Sequence, residues 1–566
     1  MRVYIQNAQK GLKQCGLLEK DEFISGVLDE VSFVDTMNEL SAMESSCLQG
    51  GNEMVKVSSM DMYDAIQQFE GMECKNMHCG MDAQVDTKYK TVAKKVKPVA
   101  LPLPPESKEK MDEASMQPNL RDPNKIGHKF TQETLKEMKI GDKDFLSSVE
   151  KECFEEMLVK HGKAFAFQSH EIGCVDPSVI APMVIFTVPH VPWNLRPIPV
   201  PKALLPKLME LLKEKIKMGI LEPSCAPYSN RWFTVPKKNG ALRFIQDMQP
   251  VNKVTIRNVG TGPIVDEFAE AFAGKSIYSM GDLYSGYDQF QLDIQSRDLT
   301  TMKTPLGLVR MCTLPQGATN SVAHMMNGMN KVLRDFIPQI TMPFLDDVPI
   351  KGCDEREKDK ALDSRGCRKF VANHIKDCDK ILSKLEEVNL TLSGLKSVFG
   401  VGEVLIVGHL CTTNGRRPCP AKIDAIQRMK ETCINVTEVR RFLGACVFYL
   451  IWIPHYAHVA DPLYQLLRKN QKFLWSVVHV KAMQKLKQLL QTSPTLRKVD
   501  YECGRPVIVT VDTSPTGIGW AVGQDDEDDR RYVIRFGAKV LSIRQRNYPQ
   551  IKRELWGVVT ALKCEK

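Results

Sequence analysis

Two adjacent carboxylates, Asp346 and Asp347, sit inside an apolar stretch, with Ile340-Thr341-Met342-Pro343-Phe344-Leu345 before them and Val348-Pro349-Ile350 after. Side chains alternate along a strand, so neighbouring acids in such a stretch point to the tight turn of a hairpin. Packed together without a counter-charge, two anions raise each other's pKa and cost stability. A divalent metal removes that cost, and Mg²⁺ prefers carboxylate oxygen. Taken alone, an Asp-Asp pair is more often a polar turn, because turns are rich in Asp. A further acid, Asp282, stands in Ile277-Tyr278-Ser279-Met280-Gly281-Asp282-Leu283-Tyr284-Ser285-Gly286-Tyr287, after a strand-like run and before a Gly-containing turn. Alone it reads as a strand-end cap. With the pair it makes three carboxylates at two strand ends, a set able to hold two Mg²⁺ ions for in-line phosphoryl transfer.

The elements that must position these acids are legible in part. Leu204, Leu208, Leu211, Leu212 and Ile216 share one face of an amphipathic helix, and Gly219 supplies its stop. Arg196-Pro197-Ile198-Pro199-Val200-Pro201 ahead of it is an extended lead-in, since each Pro disfavours helix in the residue before it. Trp232 to Pro236 and Leu242 to Ile245 read as strands joined by Lys237-Lys238-Asn239-Gly240, where Asn-Gly is a strong hairpin turn. Helices and strands then alternate to about residue 410. A mainly helical segment follows, including 436–450 and 480–490, and Pro506-Val507-Ile508-Val509-Thr510-Val511 opens a strand-rich unit. Compact structure is expected to begin near Lys129, with Thr131 as a helix N-cap. Residues 1–125 read as a poorly ordered spacer. They hold short helices around Met62 to Met72 at most, and a Pro-rich, charged connector from Lys94 to Pro105.

At 566 residues the chain is long enough for several domains, and its 43% apolar and 26% charged residues are those of a globular protein. The net charge of +9 is unevenly spread: Lys202 to Arg257 holds 11 Lys or Arg against 4 Asp or Glu, as a phosphate-binding surface requires and as a solvated helix face also provides. The N-terminus lacks the apolar core of a signal peptide, no apolar run approaches a membrane span, and the 17 cysteines have no regular spacing. A reduced, intracellular protein with free thiols is the expectation. Cys74, His78 and Cys79 fit no zinc spacing.

The ordered set of motifs resembles the reverse transcriptase of gypsy-like long-terminal-repeat retrotransposons. The matching segments run from Val188-Pro189-His190-Val191-Pro192-Trp193, through Trp232 to Val235 and the Lys237 hairpin, to Arg243-Phe244-Ile245-Gln246-Asp247-Met248-Gln249-Pro250-Val251-Asn252-Lys253. They continue with the Asp282 segment, Leu314-Pro315-Gln316-Gly317-Ala318-Thr319-Asn320-Ser321, the Asp346-Asp347 turn and Val407-Gly408-His409. Similarity persists through Arg441-Phe442-Leu443-Gly444 and covers roughly residues 126 to 566.

The resemblance implies roles. Asp282, Asp346 and Asp347 would be the catalytic metal ligands, for two Mg²⁺ ions or for Mn²⁺ in their place. Tyr287 matches the aromatic gate that crowds the sugar 2′ position and selects deoxynucleotides. Lys237 or Lys238, with Arg243, would meet the incoming triphosphate, where Arg gives bidentate contacts. Gln316 and Gly317 would let the backbone approach nucleotide and template. Lys396, in Leu392-Ser393-Gly394-Leu395-Lys396, matches a Lys placed to protonate the leaving pyrophosphate. Gly408 and His409 would belong to the hairpin that grips the primer. Asp512 and Glu554 match two metal-binding acids of a ribonuclease H domain, whose further acids lie past the Glu helix, so an incomplete domain with doubtful hydrolysis is expected. Three departures stand out. No Asp-Thr-Gly or Asp-Ser-Gly triplet precedes residue 125, Met325-Met326 replaces the family's Phe-Gln pair, and the usual Cys soon after the Lys396 position is missing.

The expected fold is α+β: a right-hand polymerase with fingers and palm over 201–410 and thumb and connection over 411–497, after a lead-in over 126–200. The front part of an α/β ribonuclease H-like domain follows over 498–566. The expected function is RNA-directed DNA polymerase, with RNA template, DNA or RNA primer and deoxynucleoside triphosphates as partners and no membrane. The alternative is a catalytically inactive retroelement remnant that only binds nucleic acid. Cytoplasm, nucleus or a particle are all compatible locations, and the sequence sets no oligomeric state.

Overall fold

In this computed structural model, the described residues are 98–565 apart from 237–239, 241, 259, 261–263 and 469–470. Lys237, Lys238, the Cys74-His78-Cys79 cluster and the helices expected around Met62 lie outside them. The chain divides between Arg417 and Pro418 into two units.

Labels follow chain order: helices α1 (Ser107–Ser115), α2 (Ser148–Lys160), α3 (Leu205–Lys217), α4 (Gln249–Val254), α5 (Ser321–Val332) and α6 (Lys369–Glu387). The strands used below are β1 (Lys139–Ile140), β2 (Trp232–Pro236), β3 (Leu242–Gln246), β4 (Tyr278–Asp282), β5 (Asp347–Lys351), β6 (Val398–Val401), β7 (Glu403–Ile406) and β8 (His409–Thr412). Apolar runs bounded by Gly and turn residues become a four-stranded sheet in the order β1-β6-β4-β5, antiparallel except for the β1–β6 edge. Helix α6 covers this sheet. Its buried Phe370, Val371, His374, Cys378, Ile381, Leu382 and Leu385 recur every three or four residues, the stripe an amphipathic helix buries. Beneath them Phe154 and Leu158 of α2 join Ile277, Val348, Ile350 and Phe399 in one core. Ser147 caps α2 by accepting the Glu150 N–H, and the Glu150 carboxylate returns to the Ser147 N–H, a capping box.

Helix α3 forms as its pattern predicts. It buries Leu208 and Leu212 against Trp232, Met302, Val309 and Met311, and Gly219 follows its end at φ +68. Leu204 belongs to a short 3₁₀ turn ahead of the helix. Strands β2 and β3 pair in antiparallel register from Trp232↔Gln246 to Pro236↔Leu242, the expected hairpin.

The expected spacer over 1–125 gives way to packed chain from Val99 onward. Val99 bridges Ile256, α1 follows, and Gln117, Asn119 and Arg121 bond to Asp293, Asp176 and the backbone at Gly173. Prolines exclude helix from 98–105, yet they leave the polar side chains after α1 free to form long-range hydrogen bonds that composition cannot show.

In the second unit, helices α7 (Val436–Phe448), α8 (Tyr456–Gln465) and α9 (Val477–Gln491) pack around Phe442, Tyr449, Trp452 and Leu486. An antiparallel sheet follows, β9 (Ile508–Thr513), β10 (Gly517–Asp525) and β11 (Arg531–Val540), with helix α10 (Gln550–Cys564) against β9. That approach needs Gly557, where an added Cβ would lie 2.3 Å from Thr513 Oγ1. Among the described residues no helix is long and apolar enough to cross a membrane.

Candidate active site

The acids converge because β4 and β5 are neighbours. Asp282, last in β4, is the register partner of Asp347, first in β5. The turn before β5 is a two-residue hairpin turn: Phe344 and Asp347 exchange backbone hydrogen bonds of 2.9 and 3.0 Å around Leu345 and Asp346. Leu345 is at φ +55, a left-handed conformation that costs a branched residue energy unless the surroundings hold it. Two contacts do so. The Leu345 N–H donates to Met326 Sδ at 2.9 Å, and the Asp346 carbonyl accepts the Leu283 N–H at 2.7 Å. Three carboxylates therefore share one end of the sheet, with Asp346 and Asp347 half-buried.

Burial raises the Asp282 pKa and the Asp346 charge adds to it, while Lys396 opposes both by donating to Asp282 Oδ1 at 2.9 Å. The Asp282 N–H is held by Ser397 Oγ at 3.1 Å. The exposed Lys396 ammonium pairs with Asp282, and the three carboxylates at this sheet end are hard oxygen donors, the donor chemistry Mg²⁺ takes. The side chains are not drawn to ligand spacing: among the described residues no group of three His, Cys, Asp or Glu is arranged to hold a metal.

Comparison with known proteins decides what this arrangement belongs to. The family "Reverse transcriptase (RNA-dependent DNA polymerase)" matches over residues 235–444, and "RNase H-like domain found in reverse transcriptase" over 475–564. The Tf2-3 and Tf2-4 transposon polyproteins of Schizosaccharomyces pombe are each 25% identical over 369 residues, covering 65% of this chain and 26% of theirs. Residues 235–444 and 475–564 thus match reverse transcriptase domains, and the chain is similar to retrotransposon polyproteins. It spans about a quarter of the length of those curated relatives. Two structures of foamy viral protease-reverse transcriptase with double-stranded DNA align at TM-score 0.66 and 20% identity. One alignment covers 79% of this chain and 74% of the neighbour, the other 77% and 86%. The fold is thus the expected right-hand polymerase followed by a ribonuclease H-like domain.

β4 and β5 carry the three acids, and the predicted residues around them separate into groups. Tyr287 lies in the 3₁₀ turn Gly286–Gln289 that follows β4, packed against the main core. A Cβ added at Gly286 would lie 2.6 Å from Met325 Cε and 3.2 Å from Asp346 Cβ, so the turn runs hard against the acids. Gln316 and Gly317 are exposed, with Gly317 at φ +90, and Asn252 of α4 clamps their loop. Its amide donates to the Gly317 carbonyl and accepts the Thr319 N–H, both at 2.9 Å. Arg243 is exposed on β3 opposite Val235. Gly408 at φ +84 and Val407 at φ +48 make the turn between β7 and β8, with positive φ at both central positions as a two-residue hairpin prefers. His409 is fully buried, its Nε2 3.7 Å from Asp266 Oδ1, so of the two predicted primer-grip residues only Gly408 lies in the turn.

The ribonuclease H-like domain places Asp512 on β9 opposite Gly519, in an open cavity of 170 Å³ lined also by His455, His458 and Ser514. Asp512 Oδ2 is 3.7 Å from His455 Nδ1. Glu554 is exposed on α10, one helical turn before Gly557, and accepts from Gln550 at 2.7 Å.

Sequence reasoning missed Asn252, Ser397 and Met326 as parts of the site. Asn252 stood inside a quoted motif without a role. Met326 was visible as a departure from the family's Phe-Gln pair, and the structure gives that departure a use: Met325 and Met326 are both buried, under the 3₁₀ turn and the acidic turn respectively.

Proposed function

We propose that this chain is an RNA-directed DNA polymerase, extending a primer 3′ hydroxyl on an RNA template with deoxynucleoside triphosphates. The observation that carries the reading is the register of Asp282 with Asp347 beside the Asp346 turn, three carboxylates at one sheet end. Asp282, Asp346 and Asp347 would hold Mg²⁺, which when bound supplies activation of the attacking hydroxyl and neutralisation of the phosphate charge. Around them, Lys396 is placed beside Asp282 to donate a proton to the leaving pyrophosphate. Tyr287 limits room at the sugar, and the Asn252-clamped Gln316–Gly317 backbone faces nucleotide and template. Arg243, Lys237 and Lys238 serve the triphosphate, and the Gly408 hairpin supports the primer. Foamy viral relatives of this fold are described in complex with double-stranded DNA and with an RNA/DNA hybrid, consistent with such partners. Asp512 and Glu554 would be two of the metal-binding acids of a ribonuclease H-like site, and the proposed activity does not include RNA cleavage.

Primer extension on an RNA template tests this. It is expected to require Mg²⁺ or Mn²⁺ and to vanish in Asp346→Asn. A folded wild-type chain that extends no primer refutes it. The alternative is a catalytically inactive remnant that only binds nucleic acid. Binding that weakens steeply with salt, without turnover, would select that alternative.

A further inference from the structure

Arg121 stands in the segment the sequence presents as spacer, yet its guanidinium reaches three backbone carbonyls of the polymerase body. Nε donates to the Met218 carbonyl at the end of α3 at 3.0 Å. Nη1 donates to the Gly173 carbonyl at 2.6 Å and to the Asp288 carbonyl at 2.8 Å. Asp288 follows Tyr287 within the same 3₁₀ turn. The planar fork of Arg spans such divergent acceptors in a way no other side chain does.

The turn itself is strained and tightly fixed. It starts from Ser285 at φ +51, whose hydroxyl donates to Asp288 Oδ2 at 2.8 Å. Thr313 donates to Asp288 Oδ1 at 3.1 Å, and Lys215 of α3 lies 3.7 Å from Asp288 Oδ2. The next residue, Gln289, donates to the Tyr284 and Thr391 carbonyls, both at 2.8 Å. On the far side of the turn, Gly286 faces Asp346. Gln289 pins the turn to the palm, whereas Arg121 ties it to the end of the fingers helix α3.

We propose that Arg121 is a positioning residue for nucleotide selection: by holding the Asp288 carbonyl against α3, the segment before the polymerase sets where the Tyr287 ring stands. The proposal rests on the polymerase reading for its functional consequence. Loss of the fork lets the turn relax away from the site and opens space at the sugar. A shift of about 1 Å in a site of this kind is enough to change selection by tenfold or more.

The test is made on the full chain with Arg121→Lys, which keeps the charge and loses the fork, and with Arg121→Gln. Asn119→Ala is the control, since Asn119 lies in the same strap but bonds Asp176. The readout is the ratio of kcat/KM for dCTP to that for CTP. It is expected to fall about tenfold in both Arg121 variants and to stay within about twofold of wild type in Asn119→Ala. An unchanged ratio in a wild-type-active Arg121→Lys chain overturns the proposal. A second readout does not need turnover: amide exchange over 284–290 is expected to quicken in Arg121→Lys and not in Asn119→Ala. Unchanged exchange there overturns the proposal even if the wild type extends no primer, an outcome that separately refutes the polymerase reading.

Discussion

Replacing Glu150 by Gln tests whether one buried ion pair ties helix α2 to the start of helix α6. Glu150 is 1% exposed, and both its oxygens are occupied. Arg368 donates to them through its backbone N–H at 3.0 Å and through Nε and Nη2 at 2.7 Å each, and the Ser147 N–H adds a contact at 2.9 Å. Burial opposes the charge on Glu150, but these donors outweigh it and hold the carboxyl at about 2 against an ordinary 4.5. Such a depression favours the folded state by roughly 3 kcal/mol at pH 7. A depressed carboxyl contributes fully above its unfolded value of 4.5 and loses that contribution as pH falls towards 2, so about half remains near pH 3. Gln keeps the shape and the cap but carries no charge, and leaves the Arg368 guanidinium without its counter-ion. Hydrogen exchange of the α2 and α6 amides reads the local opening free energy and avoids assuming that a multi-domain chain unfolds in one step. Glu150→Gln is expected to lower it by about 2–3 kcal/mol at pH 7, the gap to wild type narrowing as pH falls from 5 to 3. A loss under about 1 kcal/mol, or the same loss at pH 7 and pH 3, refutes the reasoning.

Two further outcomes follow from the same geometry. Met326→Leu removes the acceptor of the strained Leu345 N–H and is expected to slow single-turnover primer extension about threefold to tenfold, the scale of one unmade hydrogen bond, while Met326→Gln restores it with a better acceptor. His161 is 3% exposed with Nδ1 3.0 Å from Glu386 and Nε2 2.9 Å from Asp379. Burial lowers its pKa, and the two carboxylates outweigh burial and raise it. The stability it adds between α2 and α6 is thus full below its ordinary 6.5 and fades as pH rises through the raised value, a dependence that exchange measurements should find in wild type and lose in His161→Asn.

The sequence by itself determined the local pieces. The Leu stripe of α3 and its Gly219 stop, the β2–β3 hairpin and the polar turn at Asp346 each rest on neighbours a few residues apart, whose periodicity and turn chemistry are written in order along the chain. The convergence of Asp282 with Asp347 follows from the pairing of two strand-like runs that the sequence also displays. What only the tertiary structure decided is how distant segments complete those pieces. Lys396 meets Asp282 from 114 positions away, Arg368 meets Glu150 from 218, and Arg121 meets Asp288 from 167. Such contacts need one polar atom at the right place and leave no pattern in composition or spacing. That is why a stretch rich in Pro and Lys reads as spacer while its last residues pack into the first of the two units, and why the Met-for-Gln departure gives no sign in the sequence that its sulfur supports the acidic turn.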